Sequence, residues 1–324
     1  MSEEDGLISA FVLDGHGGGR GIDWDDLGKP TTLGGPYWVH LDRNGVHTEA
    51  WLRNDSGLGS LQVDALLAGE TRPRVAFMND GILMTLRGVN LNPGADPEDM
   101  VSLRIWADEQ RIITVRLRKL MAVKDVLEKM AGEKGPLSTS DTLRMLAVGL
   151  VHRMSPVIED MNDDIDALEN DMVENPTSDI RHRLKELRRE AIALRRYLAP
   201  QREALSRVHT ENLHWMPVEH RLAFREAADQ LARIVEDLDA MRERAAVIQD
   251  ELTNRTAEHT NRNMYTLSVV AALMLPLGVI TGMLGMNVGG VPLAESKDGF
   301  LVIMAVLGAV VGLQIFIFRR LKWI

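Results

Sequence analysis

Apolar residues form two long uninterrupted runs near the C-terminal end of the chain. Residues 265–286 and 299–318 contain no Asp, Glu, His, Lys, Arg or Cys. As α-helices these runs would extend about 33 Å and about 30 Å, which is enough to cross a bilayer. Residues 287–298, between them, are short and contain Gly289, Gly290 and Pro292, so we predict a tight external loop. The pattern therefore indicates two transmembrane helices.

A helical periodicity precedes these spans. Within residues 136–216, apolar positions recur three and four residues apart around a break at Asn175-Pro176, which predicts an antiparallel hairpin with an acidic first arm and a basic second arm. A third helix is predicted to begin at Pro217 and to run unbroken to Met286, because Gly and Pro are absent from residues 218–275. The predicted apolar seam residues are Ile158, Met161, Ile165, Leu168, Met172, Ile180, Leu184, Leu187, Ala191, Leu194, Leu198, Leu231, Ile234, Leu238, Met241, Ala245, Ile248 and Leu252.

Residues 1–135 are predicted to form a cytoplasmic α/β domain, because short β-prone runs alternate with turn-rich or helical pieces. The predicted strands cover residues 7–13, 37–41, 82–86, 101–106 and 112–117. The pattern leaves their order open. The predicted fold is thus an α+β membrane protein, with long coiled-coil-like helices forming a funnel between this domain and the two transmembrane helices.

Charge sets the orientation. The chain carries a formal charge of -10, which disfavours nucleic acid as a partner and suits cations. Arg255 and Arg262 precede the first span, while Arg319, Arg320 and Lys322 follow the second. The positive-inside rule therefore places both termini in the cytoplasm, with residues 319–324 as a basic tail. The chain has no cysteine, which excludes thiolate metal sites.

The triplet Gly285-Met286-Asn287 lies where the first span ends. Neither span offers a charged, imidazole or thiolate ligand, so if a divalent ion crosses here it must keep much of its hydration water. Backbone carbonyls and Asn287 amides, repeated by symmetry, can accept hydrogen bonds from that water. Asn287 is therefore the predicted metal contact, through water. Since two spans enclose no pore, transport requires an oligomer.

Counting back from the triplet by helical repeats defines one face with polar ends and an apolar middle. Pro276 could loosen this helix, although close packing through small residues explains its glycines equally well. Glu295 and Asp298 in the loop would form an acidic ring at the outer mouth, or are ordinary solvated loop residues. The predicted pore-lining residues are Asn261, Met264, Ser268, Ala271, Leu275, Gly278 and Gly282.

This layout resembles the CorA-type divalent metal ion transporters, with Gly-Met-Asn at the outer end of the penultimate span. Leu284 and the run Val288-Gly289-Gly290-Val291-Pro292 are similar to the zinc-transporting ZntB branch. The resemblance implies a homopentamer in the inner membrane, surrounded by lipid, that transports divalent metal with zinc favoured. No cofactor besides the transported ion is expected. The alternatives are a magnesium, cobalt or nickel channel of the same family and, in another class, a membrane-anchored coiled-coil scaffold.

Other sequence signals are weaker. His209, His214 and His220 share no helical face, so a metal site there is not expected. The acidic residues within 159–174 avoid the apolar seam, so a solvated helix surface is their better interpretation. Residues 15–21 are glycine-rich but lack the Lys-Ser/Thr of a P-loop, which predicts a flexible turn. Because the chain shows no nucleophile–base arrangement, an enzyme is not expected.

Overall fold

The computed structural model describes residues 5–29, 33–69, 72–174, 178–292 and 296–321. Contacts divide the chain into two compact units, Met1–Gln249 and Asp250–Ile324. The first unit contains a β-sheet with its covering helices and long helical arms. The second contains two long apolar helical segments. The predicted fold class, a sheet domain with long helices and two apolar C-terminal helices, is confirmed.

The first unit is built on a mixed sheet, seven-stranded within the described residues. The order across the sheet is β2-β1-β3-β7-β6-β5-β4, in which β3 and β7 pair in parallel and the other neighbours pair antiparallel. The five predicted strands are present, while β2 and β4 were not predicted. The strands are β1 (Leu7–Leu13), β2 (Gly19–Gly21), β3 (Tyr37–Asp42), β4 (Arg74–Met78), β5 (Gly81–Gly88), β6 (Val101–Ala107) and β7 (Arg111–Arg116).

Strand β2 corrects the prediction of a flexible turn over the glycine-rich segment. Its residues pair with β1 in antiparallel register, with Gly19 opposite Leu13. A Cβ atom at Gly19 would lie 2.9 Å from the Val12 carbonyl oxygen, so the close approach of the two strands requires glycine there. Gly19 therefore serves sheet pairing, while residues 15–17 of the segment form a bend.

Helices cover both faces of the sheet. One face packs on α2 and α3 through a core that includes Leu52, Leu66 and Val115, while α5 contacts β3, β5, β6 and β7. All five residues from Tyr37 to Leu41 are buried, as expected for a strand covered on both sides. The helices of this domain are α1 (Trp24–Leu27), α2 (Thr48–Asn54), α3 (Ser60–Leu67), α4 (Met121–Ala131) and α5 (Thr139–His152).

Three long helices follow: α6 (Ser155–Glu174), α7 (Ser178–Thr210) and α8 (Val218–Leu284). The predicted seams of α6 and α7 are buried, except for partly buried Met172, and so is the α8 seam through Ile248. The predicted break at Asn175-Pro176 lies outside the described residues. The seam prediction is confirmed where it can be compared.

Ion pairs fix the direction in which these helices pack. Arg244 of α8 donates to Glu169 at 2.7 and 2.9 Å and to Asp166 at 2.6 Å, and these hydrogen bonds raise the pKa of Arg244. Arg183 of α7 lies 3.6 Å from Asp171 of α6. Part of the acidic run on α6 therefore pairs with arginines of the neighbouring helices.

Gln201 joins α7 to the sheet. Strand β4 stops pairing with β5 at Thr85, which leaves the backbone of Arg87 without a strand on that side. The Gln201 side chain takes the strand's place: its Oε1 accepts from the Arg87 N–H at 2.6 Å and its Nε2 donates to the Arg87 carbonyl at 3.0 Å. Because Gln201 is fully buried, water cannot easily substitute for this pair of hydrogen bonds.

Replacing Gln201 with methionine should lower the free energy of unfolding by about 2 kcal/mol, because two backbone groups lose their partners while the side-chain volume is kept. Urea denaturation of the detergent-solubilised protein, followed by tryptophan fluorescence, measures this change. The adjacent Glu203 is exposed, so Glu203→Met should change the stability by less than about 0.5 kcal/mol. Equal effects of the two substitutions would contradict the proposed anchoring role.

Candidate functional site

The second unit contains the end of α8 and the helix α9 (Gly299–Arg320). Both helices are long and apolar enough to cross a membrane, and the apolar stretch of each is not buried within the chain. Exposed residues such as Leu267, Leu275, Phe300 and Leu313 would be unfavourable in water at this density. These helices match the two predicted spans, and α9 continues two residues beyond the predicted Phe318, to Arg320.

Helix α8 ends at Leu284 rather than at Met286, which corrects the predicted end of the first span. The Gly285 N–H donates to the Thr281 carbonyl at 2.9 Å as the last helical hydrogen bond, and Met286 and Asn287 follow in irregular backbone. Gly290, with φ of 93°, continues this turn in a conformation that favours glycine. The triplet thus lies immediately beyond the helix terminus.

The position of the triplet gives it a defined electrostatic character. The last carbonyl groups of a helix lack intrahelical partners, and the helix dipole places partial negative charge at that end. Asn287 and Met286 are both exposed there. A shallow depression at this terminus is lined by Leu284, Gly285, Met286, Asn287, Val288 and Val291. This group presents amide and carbonyl oxygens, and no charged side chain, to an approaching cation.

The seven predicted pore-lining residues all lie on α8 and are all exposed. The partly buried residues of the same segment lie on another side of the helix and include Val269, Ala272, Pro276 and Ile280, with Ala272 at the margin of the predicted face. That side packs against α9, where the Gln314 Nε2 donates to the Ala272 carbonyl at 3.1 Å. Helix α9 therefore leaves the predicted pore-lining face uncovered.

Gln314 was missed by the sequence analysis, which considered only ionisable and metal-binding side chains in the spans. It is partly buried, on the α9 face that also carries Leu307, Val310 and Phe318. A strongly polar side chain in an otherwise apolar helix was the available signal.

The predicted acidic ring is described only in part. Glu295 lies outside the described residues. Asp298 is exposed just before α9, and its carbonyl accepts from the Val302 N–H at 3.2 Å. Its side chain makes no capping hydrogen bond, so its carboxylate faces solvent. The acidic ring stays a prediction.

The three histidines of the weaker metal signal contact different groups. His209 Nδ1 lies 3.2 Å from the Arg221 carbonyl, His214 Nε2 lies 3.4 Å from Glu109, and His220 Nδ1 lies 3.0 Å from the Ser140 hydroxyl. Burial lowers the pKa of His220. Within the described residues, clusters of three or more His, Cys, Asp or Glu side chains that could hold a metal are absent.

Comparisons with known proteins agree with this architecture. Residues 34–320 match the family described as CorA-like Mg2+ transporter protein. The chain is 41% identical to the divalent cation transporter CmaX of Pseudomonas aeruginosa, covering 99% of this chain and 98% of the relative. It is 35% identical to the zinc transport protein ZntB of Yersinia pseudotuberculosis, covering 98% and 96% of the two chains.

Solved structures extend the likeness to three dimensions. The structure of full-length CmaX superposes with a TM-score of 0.87 at 40% identity and covers 99% of both chains. The complete structure of the CorA magnesium transporter from Methanocaldococcus jannaschii gives a TM-score of 0.82 at 18% identity, covering 98% of this chain and 99% of that one; at this identity it shows the shared fold. Together with the sequence matches, these results establish that the chain belongs to the CorA-like family of divalent metal ion transporters.

Proposed function

We propose that the protein transports divalent metal ions, with zinc favoured, across the inner membrane and recognises the hydrated ion at Gly285-Met286-Asn287. The observation that carries this proposal is the exposure of the triplet directly beyond the C-terminus of α8. Carbonyl dipoles and amide oxygens attract a dication and accept hydrogen bonds from its water. No cofactor besides the transported ion is needed for this chemistry.

Ion passage below the triplet would follow the uncovered face of α8. The part of this face farthest from the triplet carries Asn261 and Ser268, and its middle carries Ala271, Leu275 and Gly278. Neither α8 after residue 264 nor α9 before Arg319 carries an Asp, Glu, His, Lys or Arg side chain. A hydrated ion can pass such a surface without being trapped by a strong ligand, while the apolar middle can close by losing water.

A single copy cannot enclose a pore with two helices, so the transporter must be a symmetric oligomer. The exposed apolar surfaces of α8 and α9 are available for contacts with other copies and with lipid. The likeness to the CorA-type transporters supports five copies. The arginines at 255, 262, 319 and 320 favour cytoplasmic termini by the positive-inside rule.

Zinc is favoured by the residues beside the triplet and by the similarity to zinc transport proteins. The relative CmaX, however, is named only as a divalent cation transporter, and the oxygen-rich site suits several hydrated dications. A magnesium, cobalt or nickel channel is therefore the nearest alternative. A membrane-anchored scaffold, the alternative from another class, leaves the exposed polar triplet without a purpose.

Reconstitution of the purified protein into liposomes tests both the activity and the metal. With fluorescent indicators inside, we expect entry of Zn2+ to exceed entry of Mg2+ at equal concentration, and empty liposomes to show neither. Repeating the assay with an imposed proton gradient reveals any coupling to protons. Faster Mg2+ than Zn2+ entry would reject the zinc assignment, and the absence of all divalent flux through an intact oligomer would reject transport itself.

A further inference from the structure

Pro276 interrupts the hydrogen-bond ladder of α8 within its apolar segment. In a regular helix the carbonyl of residue 272 accepts from the N–H of residue 276, and proline has no N–H. The Ala272 carbonyl therefore loses its ordinary helical donor. In a bilayer, where water is scarce, a carbonyl without a donor is unfavourable, and proline is tolerated when a neighbouring group supplies one.

Gln314 supplies that donor. Its Nε2 lies 3.1 Å from the Ala272 carbonyl oxygen, which is within hydrogen-bond range. A carbonyl can only accept, so the amide orientation is fixed by chemistry, with NH2 toward Ala272 and Oε1 away from it. That Oε1 is buried and lacks a partner among the described residues. Gln314 therefore uses only part of its hydrogen-bonding capacity within the apolar helix α9.

From this geometry we propose that Gln314 is a positioning residue for transport, an inference that rests on the function proposed above. Gln314 holds α9 against α8 by donating to the carbonyl freed by Pro276. The contact fixes which side of α8 faces α9, because Ala272 and Pro276 both lie on the partly buried side. Leu275 and Gly278 are consequently kept on the exposed side. Gln314 acts on the ion only through the orientation of α8.

Gln314→Met tests this role by removing the donor while keeping the length of the side chain. We expect amide hydrogen exchange in residues 273–284 to rise about three- to fifteen-fold, from the loss of one hydrogen bond between membrane helices. In the same Gln314→Met variant, divalent flux per oligomer should also differ from the wild-type value. Leu307→Met, on the same α9 face, is the matched control and should leave both measurements unchanged.

Pro276→Ala separates the proposed role from simple packing, because alanine restores an N–H for the Ala272 carbonyl. In that background Gln314→Met should increase exchange less than two-fold. An equally large increase with and without Pro276 would overturn the proposal. Exchange is measured without metal, so this test is independent of which ion, if any, the protein transports.

Gln314→Glu gives a second test if Pro276→Ala does not fold. A carboxylic acid donates to the Ala272 carbonyl only while it is protonated, so exchange should approach the wild-type value in acidic buffer and the Gln314→Met value in alkaline buffer. Each sample is compared with the wild type at the same pH to remove the intrinsic pH dependence of exchange. A pH-independent ratio to the wild type would contradict the donor role.

Discussion

Asn287→Ala is expected to lower divalent cation flux at least about tenfold while leaving the oligomer intact. Each subunit would lose an amide that binds the water around the ion, at a net cost of about 1 kcal/mol per hydrogen bond. Summed over the subunits of the ring, this cost exceeds the change of about 1.4 kcal/mol in activation free energy that lowers a rate tenfold. Asn287 is exposed beyond the end of α8, so its replacement should not disturb packing. Flux into liposomes, with size-exclusion chromatography of the same sample, measures both properties.

Asn263→Ala is the matched control, because Asn263 is also an exposed asparagine but lies on α8, off the predicted pore-lining face. It should retain flux near the wild-type value. The comparison also separates the two functional classes, because a membrane-anchored scaffold has no flux to lose. If Asn287→Ala transports as fast as Asn263→Ala, recognition at the triplet is wrong.

Acidification from pH 7 to pH 5 should lower the free energy of unfolding of the sheet domain by about 2 kcal/mol through His40 alone. Burial, with the nearby positive charge of Arg116, lowers the pKa of His40 to about 3, against about 6.5 in an unfolded chain. Between about pH 6.5 and pH 3, His40 is protonated in the unfolded chain but neutral in the folded protein. Stability from His40 is therefore complete above about pH 6.5 and declines toward pH 3, by about 4 kcal/mol in total.

The hydrogen bonds around His40 indicate which nitrogen of the neutral ring carries the proton. The Thr114 hydroxyl donates to the Val39 carbonyl at 3.1 Å and accepts from the Trp38 indole N–H at 2.9 Å. It must therefore also accept from His40 Nδ1, 2.8 Å away, which assigns the proton to Nδ1. Protonation would add an N–H at Nε2, which is buried without a partner among the described residues.

His40→Asn removes the titrating group and keeps a donor near the Nδ1 position. The variant should be less stable at pH 7, because the side chain is smaller, yet lose about 2 kcal/mol less than the wild type between pH 7 and pH 5. Urea titrations followed by tryptophan fluorescence report on this domain, which contains Trp38 and Trp106. Exposed His16 provides the control, and a His40→Asn pH profile parallel to that of His16→Asn would disprove the assignment.

The helical arms could be predicted from the sequence because burial there depends on local periodicity. Ile165, Leu194 and Leu238 each belong to the heptad seam of a different long helix, and all three are buried. The strand order could not be predicted, because β3 pairs in parallel with β7 across more than sixty intervening residues, and periodicity contains no information about such a partner. The hydrogen bonds of the Gln201 amide could not be predicted either, since they depend on where β4 stops pairing with β5.

The residues of the candidate site could be selected from the sequence, but the backbone conformation around them could not be predicted. Apolar residues continue through Met286, whereas helix α8 ends at Leu284. Hydropathy indicates whether a segment lies in lipid or in water, but it contains no information about the hydrogen bonds of the last helical turn. The predicted pore-lining face of α8 follows from helical repeats alone and stays a prediction. Its orientation relative to Gln314 could not be predicted, because that contact joins two helices across a loop.

The end of α8 at Leu284 has a consequence for acidic surroundings. Carboxylates at a channel mouth lose their charge as the external pH falls, whereas the partial charges of helix-terminal carbonyls do not titrate. In the proposed transporter, the attraction of Gly285-Met286-Asn287 for a dication would therefore persist outside an acid-stressed cell. Any decline of uptake with external acidity would then originate in groups other than the triplet, or in the energy source.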